Sequence, residues 1–194
     1  MIIVRAAVLT ATNAEPVSGA DLTLMEASRA SVAGIPVTVI LLLALTAAGH
    51  LLLTRFRIGR EIHALGGNEA AARSSGVATV RLKILCYTLC GLSAGLAGIL
   101  LAGQLNTGSP IIGEPAALNV ITAVLLGGTS LKGGVGTAWG SLAGLLAVGI
   151  LENAMRLLDV PAYWQRILQG CLLLGIIVID RLLATKRARP VERA

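Results

Sequence analysis

Charge and aromatic side chains are what this sequence has least of. Only 13% of its 194 residues are charged, against 55% hydrophobic, a balance that excludes an ordinary soluble domain. Aromatics make up 3%, which argues against nucleic acid: a net charge of +6 would need basic residues spread over a soluble face, with rings for stacking. Two histidines and three cysteines are too few and too scattered for a metal centre. Cys86 and Cys90 lie one helical turn apart, have no histidine nearby and read as small apolar packers. No Ser-His-Asp set and no carboxylate pair falls on a common face, so the sequence argues against an enzyme. The glycine cluster at residues 127–137 is not a nucleotide-binding loop, because Lys132 is followed by Gly133 rather than by Ser or Thr. It reads instead as a tight turn between two partial helices.

What the chain does have is long apolar runs. A hydrocarbon core about 30 Å thick takes about 20 apolar residues in a helix, which makes residues 30–54 and 84–113 the clearest spans. Residues 115–131, 133–151 and 167–179 follow as shorter runs, the first two parted by Lys132. The expected fold is therefore all-α: a polytopic membrane protein with about five transmembrane or partial helices. Gly91, Gly95 and Gly98 in the second run, and Gly140 and Gly144 in the fourth, have the small-residue spacing of close helix contacts.

Charge gives the orientation. Arg55, Arg57, Arg60, Arg73, Arg81 and Lys83 fall within residues 55–83, and Arg181, Lys186, Arg187, Arg189 and Arg193 in the tail. An excess of Lys and Arg marks short cytoplasmic segments, so both regions are expected inside, joined by the even number of crossings that four runs supply. Residues 1–34 and 152–166 then lie outside, and a C-terminus inside with an N-terminus outside implies an odd number of spans. The opening MIIVRAAVLTAT is too short to span and places its Arg5 wrongly for a signal peptide, so it reads as the stump of a helix whose beginning is missing. A truncated chain or a start assigned too late is the expectation. The organisation is then one membrane domain over 1–194: a stump and external segment at 1–34, a cytoplasmic loop at 55–83, a four-span bundle at 84–180 and a basic tail at 181–194.

Three motifs follow one another along the chain. The first is Gly59-Arg-x-x-x-Ala-x-Gly-Gly-Asn-Glu-x-Ala-Ala-Arg-x-Ser-Gly76, and the second Gly91-x-x-Ala-Gly-x-Ala-Gly98. The third is Ala123-Val-x-Leu-Gly-Gly-Thr-Ser-Leu-x-Gly-Gly-x-Gly-Thr137. In that order they resemble the permease subunits of bacterial sugar-type ABC importers, those of the ribose-transport kind, over roughly the C-terminal three-fifths of such a protein. The resemblance implies a permease in the bacterial cytoplasmic membrane that moves a monosaccharide or related small polar solute. Its implied partners are an ABC ATPase, an external substrate-binding protein (periplasmic or lipid-anchored), a second permease copy and membrane lipid, with no nucleic acid. ATP and magnesium would sit on the ATPase, and this chain would bind no cofactor.

In that family a short cytoplasmic helix docks in a groove of the ATPase, and residues 66–76 are the counterpart. Asn68 suits an N-cap, Ala70, Ala71 and Ala72 favour helix, and Gly76 can end it. The implied coupling residues are Gly66, Gly67, Asn68, Glu69, Ala71, Ala72, Arg73 and Gly76. The importer pattern Glu-Ala-Ala-x-x-x-Gly fits in neither register: starting at Glu69 puts Gly76 one residue late, and starting at Ala70 loses the acid. Where sugar permeases usually show an acid, Leu and often Asp before the Gly-Gly-Thr turn, this chain has Ala117-Leu118-Asn119, with Glu114 the available replacement. Asn119, Thr122, Gly127, Gly128, Thr129 and Asn153 are the candidates for lining the pathway. The branched-chain amino-acid branch of the same superfamily is the nearest alternative, distinguished by the Gly-Gly-Asn-Glu segment alone, and a non-functional permease remnant is another. A secondary transporter or membrane scaffold would explain the spans but not residues 59–76.

Overall fold

A run of Leu, Ala, Val and Ile uninterrupted by proline can satisfy its backbone in an apolar medium only by coiling into a helix, and each of the five apolar runs holds one. The computed structural model describes residues 2–13, 15, 17–18, 26, 28–32, 34–108, 113 and 116–187. In chain order the elements are α1 (Ile2–Ala11), β1 (Val17–Ser18), β2 (Ser31–Val32), β3 (Ile35–Pro36) and α2 (Val37–Arg55). They continue with α3 (Arg57–Gly67), α4 (Glu69–Ser74), α5 (Thr79–Leu105), β4 (Thr107–Gly108), α6 (Ala116–Leu126), α7 (Ala138–Leu157) and α8 (Ala162–Arg187). Among the described residues the strands form two antiparallel ladders, β1 with β4 and β2 with β3.

Helices α2, α5 and α7 are long and apolar enough to cross a membrane, while α6 and the apolar part of α8, Ala162–Val178, are shorter. Several expected boundaries move. The helix of the first apolar run begins at Val37 rather than at residue 30, because Ser31–Val32 and Ile35–Pro36 pair as β2 and β3. The second begins at Thr79, so Arg81 and Lys83 belong to its opening turns rather than to the preceding loop. Their long stems let the charged ends reach an aqueous surface from within a helix. It stops at Leu105 because Asn106 takes the left-handed conformation (φ 55°) and Thr107–Gly108 pairs with β1. The fourth runs to Leu157 and so carries Glu152, Asn153 and Arg156, which the apolar count had left outside.

The chain divides into two compact units, Met1–Ala48 with Ala78–Pro115, and Gly49–Val77 with Ala116–Ala194. In the first, Arg29 donates to the Gln104 carbonyl at 2.9 Å and the Gln104 amide donates to the Thr38 hydroxyl at 3.1 Å, tying Arg29 and the first turn of α2 to the end of α5. Around Gly91, Gly95 and Gly98, among the described residues, nothing lies within 4 Å of where a side chain would start.

In the second unit the contact expected at Gly140 and Gly144 is made. A Cβ at Gly144 would overlap the Ala123 carbonyl oxygen, and one at Gly140 the Gly127 carbonyl oxygen, so α6 and α7 touch backbone to backbone. Ala123 and Val148 are buried along this hairpin. The His50 and Trp139 rings meet edge to face, with centroids 6.2 Å apart, and join the end of α2 to the start of α7. Leu42, Leu43 and Leu45 on α2, and Leu92, Leu96 and Ile99 on α5, are exposed, as a lipid-facing or partner-facing surface requires.

Candidate coupling surface and polar cluster

The segment after α2 is built by local rules. Phe56 is extended, which turns the chain out of α2, and Gly59 lets the first turn of α3 press on the Leu52 and Leu53 carbonyls, where a Cβ would collide. Helix α3 is amphipathic, with Arg57, Arg60 and Ala64 exposed and Ile62, His63 and Leu65 half-buried. Asn68 then does two jobs. Its N–H closes α3 on the Ala64 carbonyl at 3.1 Å, and its side-chain oxygen accepts from the Ala71 N–H at 3.1 Å as the N-cap of α4. Gly76, at φ +82°, ends α4: its N–H reaches the Arg73 carbonyl and the Val77 N–H the Ala72 carbonyl, the paired closure of a Schellman motif. Asn68→Ala is expected to destabilise this turn by about 1 kcal/mol, measured as faster amide exchange at Ala71 with the long helices unaffected.

Of the proposed coupling residues, Gly67, Asn68, Glu69, Ala71, Arg73 and Gly76 are exposed, whereas Ala72 is 4% exposed and faces inward. Glu69 and Arg73 approach to 3.7 Å on the outer face, an exposed i,i+4 pair worth on the order of 0.3–0.5 kcal/mol. Both side chains stand on the exposed face of α4.

Gly66 is exposed as well, but the direction a side chain would take from it leads into the turn at Gly133 and Gly134. A Cβ there would come within 2.6 Å of the Gly134 nitrogen, and one at Gly133 would strike the Gly66 carbonyl oxygen. Gly133 and Gly134 both have positive φ, +84° and +77°, which glycine adopts without strain. The turn containing them is closed by the Ser130 N–H on the Val135 carbonyl at 3.1 Å, and Thr137 caps α7 by accepting from the Gly140 N–H at 3.1 Å. This is the tight turn expected between two helices. His63 lies between two carbonyl oxygens, Gly59 at 2.8 Å from Nδ1 and Gly136 at 3.3 Å from Nε2, so its ring links α3 to the turn. An open, mainly apolar hollow of about 390 Å³ lies beside that link, bordered by Leu53, Ile62, Val124 and Val135.

The pathway candidates do not form one group. Thr122 is buried, and its hydroxyl donates to the Leu118 carbonyl at 2.8 Å. Gly127 packs on Gly140, Gly128 closes the end of α6 at φ +86°, and the Thr129 side chain lies against Gly136. Asn153 is exposed on α7, and Glu114 lies outside the described residues.

Asn119 is different. Its Nδ2 donates to Glu152 Oε1 at 2.7 Å, and Gln169 Nε2 donates to the same oxygen at 2.7 Å. Arg156 Nη2 stands 3.9 Å from Glu152 Oε2. Helices α6, α7 and α8 thus each contribute a polar side chain to one carboxylate, which is one-fifth exposed. Sequence reasoning missed Glu152 because an acid was taken to end a span. It missed Gln169 because one amide in a short apolar run carries no periodic signal.

Comparison with known proteins supplies the family. Residues 2–177 match the family described as branched-chain amino acid transport system / permease component. The chain belongs to this permease family. It is 42% identical to the xylose transport system permease protein of Escherichia coli (strain K12) over 154 residues, 79% of this chain and 39% of that protein. To the ribose import permease protein of the same strain it is 43% identical over 147 residues, 76% of this chain and 46% of that one. Against the ribose import permease protein of Bacillus subtilis (strain 168) the identity is 37% over 183 residues, 93% of this chain and 57% of the other. The chain therefore spans about two-fifths to three-fifths of the length of these relatives. No solved structure matches it.

Proposed function

We propose that this permease-family chain forms part of the membrane channel of an ATP-driven importer that carries a monosaccharide across the bacterial cytoplasmic membrane. The observation that carries the reading is α4: a short helix, capped at both ends, with Glu69, Ala71 and Arg73 exposed and its base joined to the α6–α7 hairpin. Such a helix can seat in a partner's groove without unfolding, and its small side chains allow close approach. Similarity to relatives named as xylose and ribose permeases supports the pentose class. On this reading an ATPase holds ATP and magnesium and docks on residues 66–76. An external binding protein delivers the sugar, and a second permease copy completes the channel. Residues 55–78 and the basic tail lie in the cytoplasm and residues 1–34 outside.

Replacing residues 66–76 by a Gly-Ser linker is expected to abolish copurification of the ATPase while the subunit still inserts in the membrane. Arg73→Glu is expected to weaken that association with little change in thermal stability. An ATPase that binds the linker variant normally would reject the docking surface. Uptake that survives loss of the ATPase but collapses with the ion gradient would reject the importer. The family description also names branched-chain amino acids, and ATP-dependent uptake of leucine in place of xylose or ribose would assign the chain to that branch.

A further inference from the structure

The Asn119–Glu152–Gln169 cluster has hydrogen-bonding capacity that the described residues leave unfilled. Both amides converge on Glu152 Oε1, at 2.7 Å each. The second carboxylate oxygen has Arg156 at 3.9 Å, beyond hydrogen-bond distance, and Asn119 Oδ1 is buried with no hydrogen-bond partner. The Asn119 amide turns its N–H toward the carboxylate, so a flip to satisfy its oxygen elsewhere would lose that bond. A polar network in an apolar helix bundle is stabilising when every member is satisfied and costly when one is not. A cluster serving only to pin three helices would close these acceptors or do without the carboxylate altogether.

The location also matters. At 1.5 Å per residue Glu152 lies about 8 Å inside the end of α7 at Leu157, and about 22 Å along that helix from the Thr137 cap that adjoins the coupling segment. Gln169 lies about 10 Å inside the start of α8. The three side chains therefore meet within the helices, toward the end remote from α4. The open groups are acceptors on a carboxylate and an amide, and each bound amide nitrogen keeps a second N–H. That combination suits a neutral hydroxyl, which donates to the one and accepts from the other, and repels an anion.

Building on the importer reading above, we propose that Asn119, Glu152 and Gln169 form a contact site for the hydroxyl groups of a neutral polyhydroxy solute in transit. Glu152 accepts from one hydroxyl, and the Asn119 and Gln169 amides read its neighbour. The site then discriminates between sugars that differ by a single hydroxyl, separately from any selection made by a binding protein.

The test uses this chain with its ATPase and binding protein in membrane vesicles, with ribose, xylose, 2-deoxyribose and leucine as the probes. Glu152→Gln is expected to lower ATP-dependent ribose uptake at least tenfold, while complex yield and binding-protein-stimulated ATP hydrolysis stay within twofold. Asn119→Leu, which removes the amide and keeps the volume, is expected to narrow the preference for ribose over 2-deoxyribose at least fivefold. Wild-type uptake in Glu152→Gln would overturn the proposal. So would losses that are equal for all sugars and accompanied by loss of the complex, since that is the signature of a structural clasp. Leucine uptake dependent on Glu152 would assign the carboxylate to an ammonium group and also overturn it. Absence of ATP-dependent sugar uptake by the unaltered chain would instead reject the importer reading on which the proposal rests.

Discussion

Gly144→Leu is expected to leave no folded subunit, and Gly144→Ala to lower the thermal unfolding midpoint in detergent measurably. At this position α7 lies against α6 so closely that the first carbon of any side chain would occupy the place of the Ala123 carbonyl oxygen. The obstacle is backbone, which cannot rotate aside as a side chain can. Overpacking of a tight interior typically costs 1–3 kcal/mol, and about 3 kcal/mol is the expectation here because relief requires the two helices to separate. Separation would also expose Ala123 and Val148, two of the few buried apolar side chains. Gly149→Ala is the control: it lies on the same helix with nothing within 4 Å, and its midpoint is expected to stay level or rise. A Gly144→Ala protein as stable as the unaltered one would contradict this account of the hairpin.

Gly133→Ala is expected to separate two properties that the linker replacement removes together. The substitution adds about 1–2 kcal/mol of strain for a left-handed residue and drives a methyl group into the Gly66 carbonyl oxygen. The turn must move off α3, weakening the His63 contact with Gly136 as well. The exposed face of α4 is untouched, so the ATPase should still copurify while ATP-driven uptake falls at least tenfold. Amide exchange at residues 133–136 should rise in parallel. Gly149→Ala serves as the control here too, since nothing lies within 4 Å of that position and it is outside the docking surface. Normal uptake with unaltered exchange in Gly133→Ala would show that this contact transmits nothing.

How much of this was legible from sequence depended on whether the rule was local. The Asn68 cap, the Gly76 stop and the turn before Thr137 are each settled within a few residues, and the structure has them where the residue types indicated. Helix ends were less legible. The helices run on past the charges that bound the apolar runs, at Arg81, Lys83 and Glu152, because long side chains reach water from inside a helix and a carboxylate can be held by partners on other helices. The glycine spacing was informative at Gly140 and Gly144 but gave the same signal at Gly91, Gly95 and Gly98, where no described neighbour answers it. A spacing names a face and not its partner. The approach of Gly66 to Gly133 and Gly134, and the convergence of Asn119, Glu152 and Gln169, depend on segments far apart in the chain, and no periodicity encodes them.

The glycine contacts also constrain how this gene can change. Every amino-acid substitution reachable from a glycine codon by one nucleotide adds at least a methyl group, and most add charge or bulk. At Gly59, Gly127, Gly133 and Gly144 that first carbon already meets a backbone carbonyl oxygen. No single missense step from these positions is then conservative, whereas Gly149 on α7 is open to several. Saturation mutagenesis read by growth on the transported solute would show these sites as isolated columns of intolerance beside permissive glycines.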